Sequence, residues 1–298
     1  MNLRQIEVFR NVMQTGSIKD AASLMHVSSP AVSKLLGAAE RAAGLALFER
    51  VKGRLVPTPS ALRLYEEVDQ LWQRVERFKD LTQELAAPTS GSLHVAISPS
   101  LGATVVPKAA TALTKMVPDA SIKIDLLIPH LLVRSLVDGV SDIGLSLSPQ
   151  SHPNLAILKR YPCELVCVMP AGHPLAARRR VRPVDLLEHN VISFPQAITY
   201  GISNQDLYGK YADLIHTNVE VRSGQTACWF CLAGAGVAIV DTTAVAAGAF
   251  SDLVVRPYTS RAKLAVYLTQ HRNRPLSKLA EMFCTAFDAT WNQLGGIV

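Results

Sequence analysis

The sequence predicts a chain in two parts, an all-α winged helix-turn-helix at the N-terminus and, behind it, an α/β region of two subdomains. Three observations carry this reading. Residues 17–37 hold two short apolar-periodic segments joined by a tight turn, and the second opens on serine and proline. A long segment with one apolar stripe starts at Thr58-Pro59 and separates this head from the rest. Beyond residue 92, short apolar runs alternate with segments of helical period, the pattern of β-α-β units.

Leu3, Ile6, Phe9, Val12 and Met13 recur at helical spacing, with Asn2 placed to cap and Gly16 placed to stop the helix. Ser17 and Asp20 resemble a capping box for the next helix, whose Ala21 and Ala22 allow close helix–helix approach. Ser28 or Ser29 caps the third helix, and Pro30 falls in its first turn, where a missing amide does no harm. Val32, Leu35 and Leu36 face the core, which leaves Ser29, Ser33 and Lys34 outward. Gly44 ends that helix. Leu45–Val56 reads as a hairpin with Gly53 at its turn and Arg50, Lys52 and Arg54 around it, a basic wing suited to phosphate or the adjacent minor groove. Tyr65, Val68, Trp72, Val75, Phe78, Leu81 and Leu85 stripe the long helix, which fits a pairing helix. The stretch from Ala86 to Ser92 reads as a linker.

Next come a strand over Leu93–Ser98, a helix over Val105–Met116, a strand over Ile122–Ile128, a helix over Leu132–Val137 and a strand over Asp142–Leu147. A second parallel set is expected from Cys163 to Pro257, with strands at Glu164–Met169, Val191–Phe194, Val219–Arg222 and Val237–Val240. Leu264–Thr269 and the helix from Ser277 return to complete the first unit. Segments crossing near Tyr161 and Ala262 then make a cleft between the two units.

A chain of 298 residues, 49% hydrophobic and 18% charged, suits two or three packed domains. The net charge is +6, and residues 1–65 alone hold nine Lys/Arg against four Asp/Glu. Basic charge gathered in one small region points to a polyanion partner. Together with the outward face of the third helix, it predicts a reader of double-stranded DNA: Ser29, Pro30, Ser33 and Lys34 at base edges, Lys34, Arg50, Lys52 and Arg54 at phosphates. Met1–Gln5 lacks a signal-peptide core and no apolar run spans a bilayer, so a cytoplasmic protein without a membrane partner is expected. The five cysteines are then expected as reduced thiols, Cys163 and Cys167 on one strand face. Cys228-Trp229-Phe230-Cys231 has redox spacing inside an apolar segment, and a redox-sensing regulator is the alternative reading. No metal and no cofactor are expected. No Walker loop, GxSxG or HExxH occurs, so an enzyme is not expected.

A ligand site is expected in the cleft. Ser98-Pro99-Ser100-Leu101-Gly102 follows a strand and opens a helix, so its amides and hydroxyls converge on an anion. Gln225-Thr226 opens a helix after another strand, and the two segments are placed to grip one ligand. Asp241, at a strand end, either pairs with a ligand amine or caps the helix at Thr242-Thr243.

The chain resembles the LysR-type transcriptional regulators over essentially its whole length. The similarity rests on Met1–Gln5 with Phe9, Thr15-Gly16-Ser17, Ala21-Ala22, Ser29-Pro30-Ala31-Val32-Ser33, Glu40, Gly44 and Leu47-Phe48-Glu49-Arg50. Val137-Asp138-Gly139, Asp142-Ile143-Gly144 and Ala171–Leu175 add to it. Ser29 stands where the family often has glutamine, and Lys34 where arginine is common. Gly236–Asp241 is most similar to members answering opines or basic amino acids. The resemblance implies a DNA-binding domain over 1–58, a dimerising linker helix over 59–87 and an effector domain over 88–298 like a periplasmic binding protein. Subdomain I would take 92–160 and 263–298, and subdomain II 161–262. It also implies a homodimer or homotetramer on an inverted repeat, a small-molecule effector that alters DNA bend or spacing, and RNA polymerase as a partner. Ile128, Ser146, Gln196 and Thr199 join the effector residues on the same ground. The effector itself is expected to be a small carboxylate, such as an amino-acid derivative.

Overall fold

In the computed structural model, residues 1–51, 54–86, 91–195, 201–248 and 250–293 are described. They form two compact units, Met1–Thr82 and Gln83–Val298.

The first unit contains α1 (Leu3–Thr15), α2 (Ile18–Leu24), α3 (Ser29–Ala43), β1 (Phe48–Val51), β2 (Arg54–Pro57) and most of α4 (Pro59–Ala86). Local signals set these boundaries. Asn2 and Gln5 form a reciprocal capping box at α1. Gly16 (φ +68°) and Gly44 (φ +67°) end α1 and α3 in the left-handed conformation. Ser17 Oγ accepts the Asp20 amide, and Thr58 Oγ1 accepts the Ala61 amide at the start of α4. Val8, Phe9, Val12, Ala21, Ala22, Val32, Leu36, Ala39 and Leu47 make the core, which Ala61 and Val68 of α4 join. Leu3, on the expected stripe of α1, is instead 53% exposed, and Val8 fills the core.

The stripe of α4 divides along its length. Tyr65 and Val68 pack on the unit's own core. Arg10 pairs with Asp69 at 3.1 Å and lies over the Trp72 ring, tying α1 to α4. Leu71 and Phe78 are exposed.

The second unit holds two five-stranded sheets. Its elements are β3 (Ser92–Ile97), α5 (Val105–Met116), β4 (Ser121–Leu126), α6 (Pro129–Asp138), β5 (Ile143–Ser146), β6 (Leu155–Cys163), β7 (Leu165–Pro170), β8 (Val191–Ser193), α7 (Asn204–Tyr208), β9 (Val219–Glu220), α8 (Gly224–Leu232), β10 (Val237–Asp241), α9 (Thr242–Val245), β11 (Leu253–Pro257), β12 (Leu264–His271) and α10 (Lys278–Gln293). The first sheet has the order β4-β3-β5-β12-β6, parallel across β4-β3-β5 and antiparallel at β12. The second has the order β11-β7-β10-β8-β9. The chain changes sheets at Glu164 and returns between Pro257 and Leu264.

Two expectations change here. The second sheet is mixed, because β7 runs antiparallel to both β10 and β11. Cys163 and Cys167 do not share a strand: Cys163 ends β6 and Cys167 lies in β7, across the sheet change.

Candidate functional site

Two places on the chain carry chemistry. The first is the start of α3. Ser28 occupies the cap position in extended conformation, but its hydroxyl caps no amide. The helix therefore begins with its positive end unquenched, which suits a phosphate. Pro30, Ser33 and Lys34 are exposed and Ser29 is half-buried. Ser29 with Ser33, and Pro30 with Lys34, are four apart and share a face one turn deep. The turn before α3 passes through His26 at φ +54°, the one non-glycine residue with positive φ among those described.

The wing is β1 paired with β2, with Val51 opposite Arg54 and Arg50 opposite Leu55. Both arginines are exposed. Cross-strand register puts them on opposite faces of the hairpin. Lys52 and Gly53 lie outside the described residues. Glu40 has a role that sequence spacing did not reveal. Its Oε1 accepts the Leu47 and Phe48 amides at 2.9 and 3.2 Å, fastening the wing to α3.

The second place is a small, open-mouthed cleft lined by Ser98, Pro99, Ser100, Ile128, Pro129, Leu147 and Arg222. It lies beyond the C-terminal ends of β3, β4, β5 and β9. The chain leaves β3 for neighbours on both sides, the usual place for a ligand crevice in an α/β sheet. Ser98 and Ser100 are buried, yet both oxygens already accept backbone amides. Leu147 N–H donates to Ser98 Oγ at 3.3 Å, and Gly224 N–H donates to Ser100 Oγ at 3.4 Å. Each hydroxyl keeps its hydrogen to give. Arg222 is exposed and makes no hydrogen bond or ion pair with a described residue. At the edge, α6 starts at Pro129 with no side chain capping its first amides. The polar side chains lining the cavity all offer donors, and none is acidic.

The remaining sequence candidates fall elsewhere. Leu101 is in the core, 0% exposed. Gly102 packs towards Ile97 and Leu126. Ser146 Oγ donates to the Ser148 carbonyl at 2.7 Å inside the protein. The Gln225 amide donates to the Ser100 carbonyl at 2.6 Å, across to the other wall of the cleft. Thr226 is exposed and its hydroxyl meets Ser223 Oγ at the cap of α8. Asp241 is fully buried and caps α9, accepting the Ala244 amide at 3.1 Å and the Thr243 hydroxyl. The helix-cap reading holds for Asp241, and a ligand amine has no access. Gln196 and Thr199 lie outside the described residues. Arg222 was not among the candidates. A basic residue at a strand's carboxyl end, just before a helix cap at Ser223, was the available signal.

Cys228 and Cys231 both sit in α8, buried, and burial pushes each thiol up to about 12. A thiol held neutral is a poor nucleophile, so the redox alternative finds no support here. Among the described residues, no group of three or more His, Cys, Asp or Glu is arranged to hold a metal ion. No described helix is long and apolar enough to cross a membrane.

The family described as the LysR substrate binding domain matches residues 86–291, and the bacterial regulatory helix-turn-helix protein, lysR family, matches residues 3–62. The chain belongs to the LysR family. The transcriptional activator protein LysR of Escherichia coli K12 is 33% identical over 95% of this chain and 91% of its own length. The octopine catabolism/uptake operon regulatory protein OccR of Rhizobium meliloti is 31% identical over 97% of this chain and 96% of its own. The crystal structure of CbnR, a LysR family transcriptional regulator, matches the fold with a TM-score of 0.77 over 97% of this chain and 99% of CbnR, at 20% identity. This LysR-family chain is a ligand-responsive, DNA-binding transcriptional regulator.

Proposed function

We propose that this LysR-family regulator reads an inverted-repeat operator through the first turn of α3 and answers to a small carboxylate held at Arg222. The observation that carries the effector reading is a cleft lined by hydrogen-bond donors and by no acidic side chain. Two serine hydroxyls with an oxygen lone pair already engaged, one guanidinium and one uncapped helix start all favour an anion. Ile128, Pro129 and Leu147 supply an apolar wall for the rest of the ligand. With no acidic lining residue, the cavity reads the acid end of its ligand and leaves any ammonium group outside. A relative named for octopine catabolism and uptake makes amino-acid derivatives the first ligands to try.

Phosphate contacts by Lys34 and Arg54 supply most of the affinity for DNA, and Ser29, Pro30, Ser33 and Lys34 supply the sequence preference. The exposed Leu71 and Phe78 of α4 support pairing of two heads, and homodimers or homotetramers acting in the cytoplasm are the proposed working form. The ligand must bind one arrangement of the heads better than another, since equal affinity shifts nothing. RNA polymerase is the proposed partner downstream.

Isothermal calorimetry with a panel of amino-acid derivatives and matched uncharged amides tests the effector reading. Heat is expected from a carboxylate, and an Arg222→Gln variant is expected to bind it at least about tenfold more weakly. Heat from the amides alone contradicts the proposal.

A further inference from the structure

The turn that walls the cavity is also where the two subdomains of the effector unit are hydrogen-bonded to each other. Gln225 Nε2 donates to the Ser100 carbonyl at 2.6 Å. Gly224 N–H donates to Ser100 Oγ at 3.4 Å. Thr104 Oγ1 donates to the Thr243 carbonyl at 3.0 Å. All three bonds run between residues 100–104, on the side of the first sheet, and α8 or α9, on the side of the second. Ser100, Thr104, Gly224 and Thr243 are buried, so water does not readily replace a partner that is removed. The bonds lie beside the cavity.

We propose that Gln225 is a positioning residue, a latch that ties the two subdomains together at the Ser100 turn. It acts on the ligand through Ser100. Fixing the Ser100 carbonyl and the neighbouring Gly224 amide turns the Ser100 hydroxyl hydrogen to the cavity. Arg222 lies three residues before Gln225 on the same loop-to-helix segment. A group that draws on Arg222 therefore pulls directly on the segment that carries the latch. Occupancy of the cavity and the spacing of the subdomains are joined over four residues, without a longer relay. This second step rests on the carboxylate reading; the latch itself does not.

The test uses the full chain with no ligand, so that its failure is distinct from failure of the effector reading. Backbone amide hydrogen exchange is followed in wild type, Gln225→Met and Thr104→Val. Methionine keeps the length of glutamine and loses its donor, and valine keeps the shape of threonine. Both variants are expected to raise exchange at the Gly224 amide about tenfold while β3 and β10 stay protected. Gln225→Glu has no donor near neutral pH and regains one when protonated. Its protection at Gly224, corrected for intrinsic exchange, is expected to return as pH falls towards about 4.3. Unchanged exchange at Gly224 in both neutral variants overturns the latch. Equal loss of protection across β3 and β10 also overturns it, since the residues then only support the fold.

Discussion

At the start of α3, Pro30, Ser33 and Lys34 stand in solvent on an uncapped helix, whereas in the effector unit Ser98 and Ser100 are buried with their oxygens already accepting amides. The difference follows from the ligands the two regions serve. A duplex is larger than the head and brings its own charge, so the head needs only an outward face and cations. A small ligand takes a crevice, and the proposed effector site is assembled from strand ends far apart in sequence that are tied by hydrogen bonds between protein groups. The head is therefore expected to tolerate change at its proposed reading face better than the effector unit tolerates change at its seams.

Paired glycine substitutions test that contrast most strongly. A Cβ on Gly236 would lie 2.2 Å from the Asn190 carbonyl oxygen, at φ +146°. Gly236→Ala is expected to destabilise the effector unit by about 3 kcal/mol in thermal unfolding. Gly16→Ala in the head meets nothing within 4 Å at φ +68°, and a loss of only about 1 kcal/mol is expected. Equal losses would break the comparison.

Glu40→Ala comes next, at about 2 kcal/mol, because it strands the Leu47 and Phe48 amides. Circular dichroism melting of the chain gives the stability. Binding to any duplex is expected to weaken as the wing loosens, while the reading turn of α3 keeps its sequence preference. A change in preference without loss of stability would count against this role.

Smaller still is Arg54→Ala, which is expected to weaken binding to all sequences alike and to lower the salt slope by about one. Ser33→Ala is expected to alter the ranking of operators instead. Titrations at two ionic strengths separate the two. An unchanged slope for Arg54→Ala removes the wing from the interface.

The last contrast is chemical. Burial raises the thiols of Cys228 and Cys231 to about 12, and that of half-buried Cys284 to about 11. A raised thiol pKa leaves little thiolate at pH 8, and reactivity grows as pH rises. Iodoacetamide is expected to label Cys284 first and the α8 pair only after unfolding. Rapid labelling of Cys228 or Cys231 in the native chain would reopen the redox reading.

Features fixed by neighbours in sequence were legible from the residues alone. The Asn2 cap, the stops at Gly16 and Gly44, and the Thr58-Pro59 start of α4 each depend on a few neighbouring residues. What escaped depends on partners distant along the chain. β6 shows no clean alternation, because Ile157 to Arg160 are exposed at the sheet edge, so it does not announce itself as a strand. The antiparallel direction of β7 is set by where the chain returns, not by its own residues. Asp241 could be placed at a strand end but not assigned, since a buried cap and a ligand carboxylate look alike in sequence. Arg222 joins Ser98 only once four strand ends meet.

The measurement that tests the account most directly is a DNA footprint on an operator selected from random duplex. It is run with the carboxylate panel on wild type and on Arg222→Gln. At least one carboxylate is expected to change the bend or spacing of the wild-type footprint and to leave the variant's footprint unchanged. An operator that cannot be selected at all, or a ligand response that Arg222→Gln keeps in full, would contradict it.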